Sequence, residues 1–249
     1  MTEESSAAWD PIASPAPQAA APGDRRSRVP DYLRETYGWA YLHPRSVWAF
    51  ERDWVVNLIL WGDMHRLTHA VLDALRTTGG SRTLQVACVY GQFSRRVAGH
   101  LGTHHSQLHL VDIAPIQLRN AQRKLGGLDN VSLHRQDAAA LEFRDHSFEN
   151  TVLFFLLHEQ PADVRRRTIR EALRVTRPGG RLVIVDYHRP HPLHPLKPLM
   201  YGVLRCLEPF ALDLWREDLT DLLPGGFDPA RVDHRTYFGG LYQRLVVSC

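Results

Sequence analysis

The run Thr151-Val-Leu-Phe-Phe-Leu-Leu157 has no polar residue after its first position and is followed at once by His158-Glu159. An unbroken apolar stretch of that length suits a strand covered on both faces, the place of a central strand in a parallel sheet. Such a sheet needs helices between its strands, and the chain supplies them. After Gly79-Gly80 the pattern predicts strand one over Leu84–Val89, a helix over Ser94–Leu101 and strand two over Gln107–Val111. Ile113-Ala114-Pro115 opens a helix to about Leu125, and Val131–His134 is a third strand. The apolar run is the fourth. An amphipathic helix over Asp163–Thr176, the turn Arg177-Pro-Gly-Gly180 and a fifth strand over Arg181–Val185 complete the series. Strands alternating with helices make a doubly wound α/β fold, its sheet mostly parallel with helices on both faces.

Ligands in open α/β sheets bind outside the carboxyl ends of the strands. Residues 85 to 91, Asp112, Asp137, His158 and Asp186 are therefore expected in one crevice. Asp112 follows Gly91 by 21 positions, close to the spacing of about 20 at which an acidic residue meets ribose hydroxyls. The alternative for Asp112 is a cap for the following helix. Ile113 neighbours the same site, and Asp137-Ala138 lies where an adenine would be read.

Residues 1–30 are rich in Ala, Pro and Ser and read as a disordered tail, because they have little apolar surface to offset the entropy of ordering. Residues 31–80 form an N-terminal helical cap, expected as two helices divided near Gly62, and residues 81–249 the α/β domain. The segment Trp54–Trp61 is very apolar, but far short of the roughly 20 residues that span a bilayer. It is either a cap helix packed on the core, or a wall for a greasy substrate or membrane-docking face.

A net charge of +3 is too mild to imply a nucleic-acid partner. Cys88, Cys206 and Cys249 have unrelated spacings, which fits neither a disulfide framework nor a paired-cysteine zinc site and points to a reducing cytoplasm. Glu3, Glu4 and Asp10 sit where a secretory signal needs a basic start and an apolar run, so no export is expected.

From Leu84 onward the chain resembles the class I S-adenosylmethionine-dependent methyltransferases, through this alternation, through Arg170-Glu-Ala-Leu-Arg-Val-Thr-Arg-Pro-Gly-Gly-Arg-Leu182 and through the terminal hairpin Phe238-Gly-Gly-Leu-Tyr-Gln-Arg-Leu245. That resemblance implies a Rossmann-like, seven-stranded sheet. Within the class the chain is similar to the rhodoquinone-biosynthesis enzymes, methyltransferase-like proteins that convert ubiquinone to rhodoquinone. The segments that carry this likeness are Trp39-Ala-Tyr-Leu-His-Pro44, Asn57-Leu-Ile-Leu-Trp-Gly62, Gln85-Val-Ala-Cys-Val-Tyr-Gly91, Phe154-Phe-Leu-Leu-His-Glu-Gln-Pro161 and Val185-Asp-Tyr-His188. The family implies exchange of a quinone methoxy group for an amino group, S-adenosylmethionine supplying the nitrogen and manganese assisting. A ubiquinone substrate further implies peripheral contact with the inner face of the cytoplasmic membrane. A conventional methyltransferase on a hydrophobic acceptor and a non-catalytic scaffold are the alternatives.

Ordinary members of the class end strand one on an acidic residue followed by glycines at alternate positions. Here those places hold Gln85, Ala87 and Val89, and only Gly91 remains. Glycines let the backbone approach a ligand closely, so Val89 and Tyr90 are expected to enter space normally kept clear and to turn the donor's nitrogen toward the acceptor. A neutral Gln85 beside the donor's ammonium would withdraw the stabilisation a carboxylate gives the protonated form and so raise the fraction of nucleophilic amine.

Tyr90, His158, Asp186 and His188 are the candidates for catalysis, and His158, Asp186 and His188 also for manganese, which favours oxygen-rich sites with some imidazole. His188, His191 and His194 recur among prolines, which suggests an extended loop with neighbours roughly 9 Å apart, too far to share an ion. Leu196–Leu223 is apolar again and is read as an acceptor lid or as plain packing. Arg25, Arg26, Arg28 and the cluster Arg165–Arg167 are modest support for membrane contact.

Overall fold

The computed structural model describes residues 29–224 and 228–249. The tail read over 1–30 therefore lies, up to residue 28, outside the described residues.

The cap is more broken than its hydrophobicity suggests. It runs as α1 (Asp31–Thr36), α2 (Gly38–Tyr41), α3 (Pro44–Phe50), α4 (Asp53–Ile59) and α5 (Met64–Leu72) instead of two helices. The breaks have local causes. His43 is extended (φ −100°, ψ 127°) because the ring of a following proline disfavours the helical region, and Pro44 then opens α3. Arg52 is extended before α4. The expected division near Gly62 is present, with Trp61 at φ 53° and Gly62 at φ 86°.

Beyond the cap come β1 (Arg82–Val86), α6 (Phe93–Gly102), β2 (Gln107–Asp112), α7 (Pro115–Leu125), β3 (Val131–Arg135), β4 (Phe148–Phe154), α8 (Ala162–Val175) and β5 (Thr176–Tyr187). The long helix α9 (Lys197–Leu207) precedes the hairpin of β6 (Val232–Tyr237) and β7 (Tyr242–Ser248). These form one seven-stranded sheet in the order β3-β2-β1-β4-β5-β7-β6. Strands β1 to β5 pair in parallel, and β7 joins antiparallel to both β5 and β6.

Strand β4 is central as its apolar run requires, with Val152, Leu153 and Phe154 buried. The expected strand ended three residues too late, because the chain turns into a short 3-10 helix, Leu157–Glu159, after Phe155 at φ 52°. Strand β1 likewise stops at Val86, since Ala87 takes φ 74° while its N–H still bonds Val111 O at 2.9 Å. One face of the sheet is covered by α5, α6 and α9, where Leu67, Val71, Phe93, Val97 and Leu204 share a core with Phe154 and Val183. The other is covered by α8, with Ile169, Ala172 and Val175 against Leu84, Leu153 and Leu182.

Candidate active site

A cavity of about 510 Å³ opens at the carboxyl ends of β1, β2 and β4, roofed by the cap and α9. Its floor includes Ala87, Cys88, Val89, Tyr90, Asp112, Ile113, Asp137 and Ala138, and its far wall His158 and Glu159. The crevice expected from the strand ends thus gathers these residues. Gln85, Gly91, Asp186 and His188 do not line it.

Gln85 is held away from the cavity by its own hydrogen bonds. Gln85 is fully buried, its Nε2 donating to Ala87 O and Ser94 Oγ, both at 2.9 Å. It therefore braces the loop from beneath, and the amide does not reach a ligand amine as expected from sequence. Gly91 is a backbone requirement of another kind. It sits at φ 70°, and a Cβ there would lie 2.8 Å from Asp53 Oδ1 of α4. The one retained glycine lets the cap approach the loop.

Tyr90 fills the space above that loop. Its ring stacks on Tyr41 (centroids 5.6 Å apart, 6° between planes) and on Phe50 (5.7 Å, 27°). Its hydroxyl donates to Ala40 O at 2.9 Å and accepts from Gln117 Nε2 at 2.8 Å. Lys124 of α7 holds the loop backbone, donating to Val89 O at 2.9 Å, Gly91 O at 2.8 Å and Glu51 Oε1 at 2.7 Å.

Asp112 faces the cavity and is tied to the chain on both sides of it. Its Oδ1 accepts from Ala114 N and its Oδ2 from Cys88 N, each at 2.8 Å, so it clips the start of α7 to the loop while facing the cavity. Burial pushes its carboxyl up, opposed by those N–H groups. Asp137 Oδ1 accepts from Ala139 N at 2.9 Å, which fixes the turn at the cavity floor.

The charged end of the cavity is built around His158. Its Nδ1 bonds Asp186 Oδ1 at 2.9 Å, and Asp186 also accepts from Leu157 N at 2.8 Å, His158 N at 3.3 Å and Tyr187 N at 2.7 Å. Asp186 is thus fully buried behind the imidazole, a positioning partner held by backbone. His158 Nε2 faces Glu159 Oε1 at 3.8 Å and Glu208 Oε2 at 3.9 Å. Burial alone would push the imidazole down, but the Asp186 carboxylate, then Glu208 and Glu159, raise it to about 9. Burial pushes Glu159 up to about 8, and the Tyr41 hydroxyl donates to its Oε1. Burial raises Glu208 as well. Glu208, which closes the far end of α9, Lys124 and Tyr41 were not singled out in sequence, because no periodicity says which residue of a distant element reaches the site.

His188 is turned out of the cavity, its Nδ1 on Gly240 O at 2.7 Å and its ring against His234. The loop that follows is turned rather than extended, with His194 N bonded to His191 O at 2.9 Å. Among the described residues no group of three or more His, Cys, Asp or Glu side chains is arranged to hold a metal ion. His158 and Asp186 are spent on each other and His188 is elsewhere, so the three proposed manganese ligands do not assemble. The arginine cluster also divides: Arg165 is fully buried, bonding Leu157 O, Gln160 O and Glu217. Arg25, Arg26 and Arg28 lie outside the described residues.

Residues 83–180 match the family model described as a methyltransferase domain. The ubiquinone/menaquinone biosynthesis C-methyltransferase UbiE of Pseudomonas savastanoi pv. phaseolicola is 31% identical over 142 residues, 55% of this chain and 54% of that protein. The protein of the same description from Pseudomonas fluorescens is 29% identical over 140 residues, again 55% and 54%. The chain spans about half the length of the curated relatives it matches. Among solved structures, the CurJ carbon methyltransferase superposes with a TM-score of 0.57 at 15% identity, covering 88% of this chain and 61% of that one. A SAM-dependent methyltransferase from Aquifex aeolicus gives 0.52 at 15% identity, covering 82% and 97%. The structural likenesses show the Rossmann-like methyltransferase fold, and the family match falls on its residues 83–180.

Proposed function

We propose that this chain is a member of the class I methyltransferase superfamily that converts ubiquinone to rhodoquinone, replacing a ring methoxy group by an amino group donated by S-adenosylmethionine. The observation that carries this reading is Tyr90, a stacked and doubly hydrogen-bonded ring where a glycine loop would leave the donor's methionine arm free to lie on the backbone. With that space taken, Tyr90 would displace the arm of a bound donor so that its nitrogen, not its methyl group, would face the acceptor. The curated relatives are described as ubiquinone/menaquinone biosynthesis C-methyltransferases, which supports a quinone ring as acceptor.

The residues of the cavity suit the donor. Asp112 would meet the ribose hydroxyls, and Asp137 with Ala138 the adenine, because all three face the cavity floor. When bound, S-adenosylmethionine would supply the entering nitrogen: the new ring C–N bond displaces the methoxy group, which leaves as methanol with a proton of the amine. The donor's N–Cα bond would then break, with the quinone ring taking two electrons from that carbon and water hydrolysing it, so that the ring leaves as the aminohydroquinone and the donor's carbon skeleton as its 2-oxo acid. His158, charged and held by Asp186, donates from Nε2 to the quinone carbonyl and so draws electron density from the ring carbon under attack. Glu208, 3.9 Å from that nitrogen, takes the proton released by the amine. The manganese implied by the family resemblance does not fit the residues proposed for it, which are not brought together among the described residues.

Mass spectrometry of ubiquinone incubated with the protein and S-adenosylmethionine, labelled in turn at the amino nitrogen and the methyl carbon, tests this. A lighter quinone carrying the nitrogen label is expected. A product heavier by one methylene and carrying the carbon label would overturn amination and leave a conventional methyltransferase, the reading the relatives' C-methyltransferase description favours.

A further inference from the structure

We propose that the rim of the cavity is a docking face for an anionic phospholipid bilayer, through which the cavity opens toward lipid. This rests on the reading of the cavity as a site for a lipid-borne quinone.

The first observation is α9. Leu199, Val203 and Leu207 are spaced by four and so share one side of the helix. They are 53%, 38% and 47% exposed, while Met200 and Leu204 on the inner side are buried. The helix is apolar toward solvent as well as toward the core. The second is the opposite lip. Trp39, Leu58 and Ile59 of the cap line the cavity yet remain 48%, 68% and 44% exposed, as Val203 and Leu207 do across from them. Residues that both line a cavity and face solvent are its rim. Trp48 and Trp54 extend the apolar surface outward at 66% and 63% exposure. Contiguous exposed apolar side chains mark an interaction surface, and tryptophans suit one that is part greasy and part wet.

Charge selects the occupant. The Arg52 guanidinium stands 4.0 Å over the Trp48 ring. Arg45, three positions before Trp48 and so on the same side of α3, is exposed, and among the described residues neither arginine pairs with a carboxylate. Unpaired cations bordering an apolar rim match the negative surface of an anionic bilayer, with apolar side chains entering the acyl boundary and cations meeting phosphates. No helix among the described residues is long and apolar enough to cross the membrane, so the contact is at its surface.

The test uses the full chain with vesicles free of quinone and donor, so docking is read apart from catalysis. Cosedimentation is measured on phosphatidylcholine alone and on mixtures with phosphatidylglycerol, with tryptophan quenching by brominated lipid. Binding to the anionic vesicles, weakened by salt and accompanied by quenching, is expected. The triple variant Trp48→Ser, Trp54→Ser, Leu199→Ser changes only exposed residues that do not line the cavity, and it should lose roughly tenfold or more in partitioning. Its melting temperature and its turnover of a short-tailed, water-soluble quinone should not change. Failure of the unaltered protein to bind anionic vesicles, or variant binding equal to it, overturns the proposal. So does a concentration-dependent dimer that the triple variant abolishes, because the face would then belong to a second copy. Vesicle binding without amination would leave docking standing and remove the quinone reading alone.

Discussion

Asp186→Asn isolates what the carboxylate does for His158. The substitution keeps the shape of the side chain but exchanges one acceptor oxygen for a donor amide in a pocket where Leu157 N, His158 N, Tyr187 N and His158 Nδ1 all converge. The orientation that spares Leu157 N and His158 N turns the amide N–H toward Nδ1, which can accept only if the ring is neutral. The imidazole rises from the ordinary 6.5 to about 9 in the native chain, about 3 kcal/mol of preference for the charged ring at roughly 1.4 kcal/mol per pH unit. Without the Asp186 charge, burial becomes dominant and the ring is expected to titrate below its ordinary value. At pH 7.5 the native ring, titrating near 9, is charged in roughly thirty molecules for each neutral one, and the variant's ring is mostly neutral.

If the imidazolium polarises the quinone carbonyl, amination in Asp186→Asn falls by roughly 10² or more, within the range of a lost general acid. NMR titration of the His158 ring alongside the pH profile of amination reads both halves. Breaking a buried pair also costs about 3 kcal/mol of stability, so the native titration is measured first and stands on its own. A native His158 that titrates at or below the ordinary value, or a variant whose ring stays charged at pH 7.5, would refute the reasoning.

Gly91→Ala places a side chain at φ 70° with its Cβ 2.8 Å from Asp53 Oδ1, and a strain of about 1–3 kcal/mol should lower Tm by roughly 5 °C in a calorimetric scan. Asp112→Ala should weaken S-adenosylmethionine binding by roughly 1.5–3 kcal/mol in calorimetric titration, and an unchanged Kd would remove Asp112 from the site. Stability should fall as pH rises from neutral to about 9, because the folded chain keeps protons on Glu159 to about 8 and on His158 to about 9 that the unfolded chain releases near 4.5 and 6.5. The folded state therefore binds more protons across that window, and urea midpoints that rise with pH would contradict the sign.

The fold was legible because its strongest signals are local. The run 151–157 reads as a central strand whatever surrounds it, and prolines 44 and 115 mark the helix starts they occupy. Strand ends also located Asp112, Asp137 and His158 on the cavity. What strand ends do not convey is where a side chain is tied. Gln85 is held beneath the loop by Ala87 O and Ser94 Oγ, and Asp186 is held behind His158 by three backbone N–H groups. The proposed effect of Gln85 on a ligand amine fails on those two hydrogen bonds. Glu208, Lys124 and Tyr41 were illegible for a different reason, since they reach the site from α9, α7 and the cap through tertiary docking that no local pattern encodes.

The loop and the cap form one packed unit, and this decides how the loop's chemistry can be tested. Tyr90 is held by Ala40, Gln117, Tyr41 and Phe50, and Gly91 lies against α4. Placing glycine at position 90 therefore opens space for a ligand but also strips the ring contacts of the cap, a loss of roughly 3–5 kcal/mol for a large aromatic side chain. Tyr90→Phe separates the two effects. It removes the hydroxyl, so Ala40 O loses its donor, while Gln117 Nε2 keeps Tyr41 O at 2.9 Å and both ring stacks remain; the cost is about 1 kcal/mol. If the ring displaces the methionine arm, Tyr90→Phe keeps the nitrogen label in the quinone, and Tyr90→Gly, assayed well below its lowered Tm, shifts product toward the methyl label. Loss of amination in the phenylalanine variant with its fold intact would move the cause from the ring to the hydroxyl, and the displaced-arm account would then be wrong.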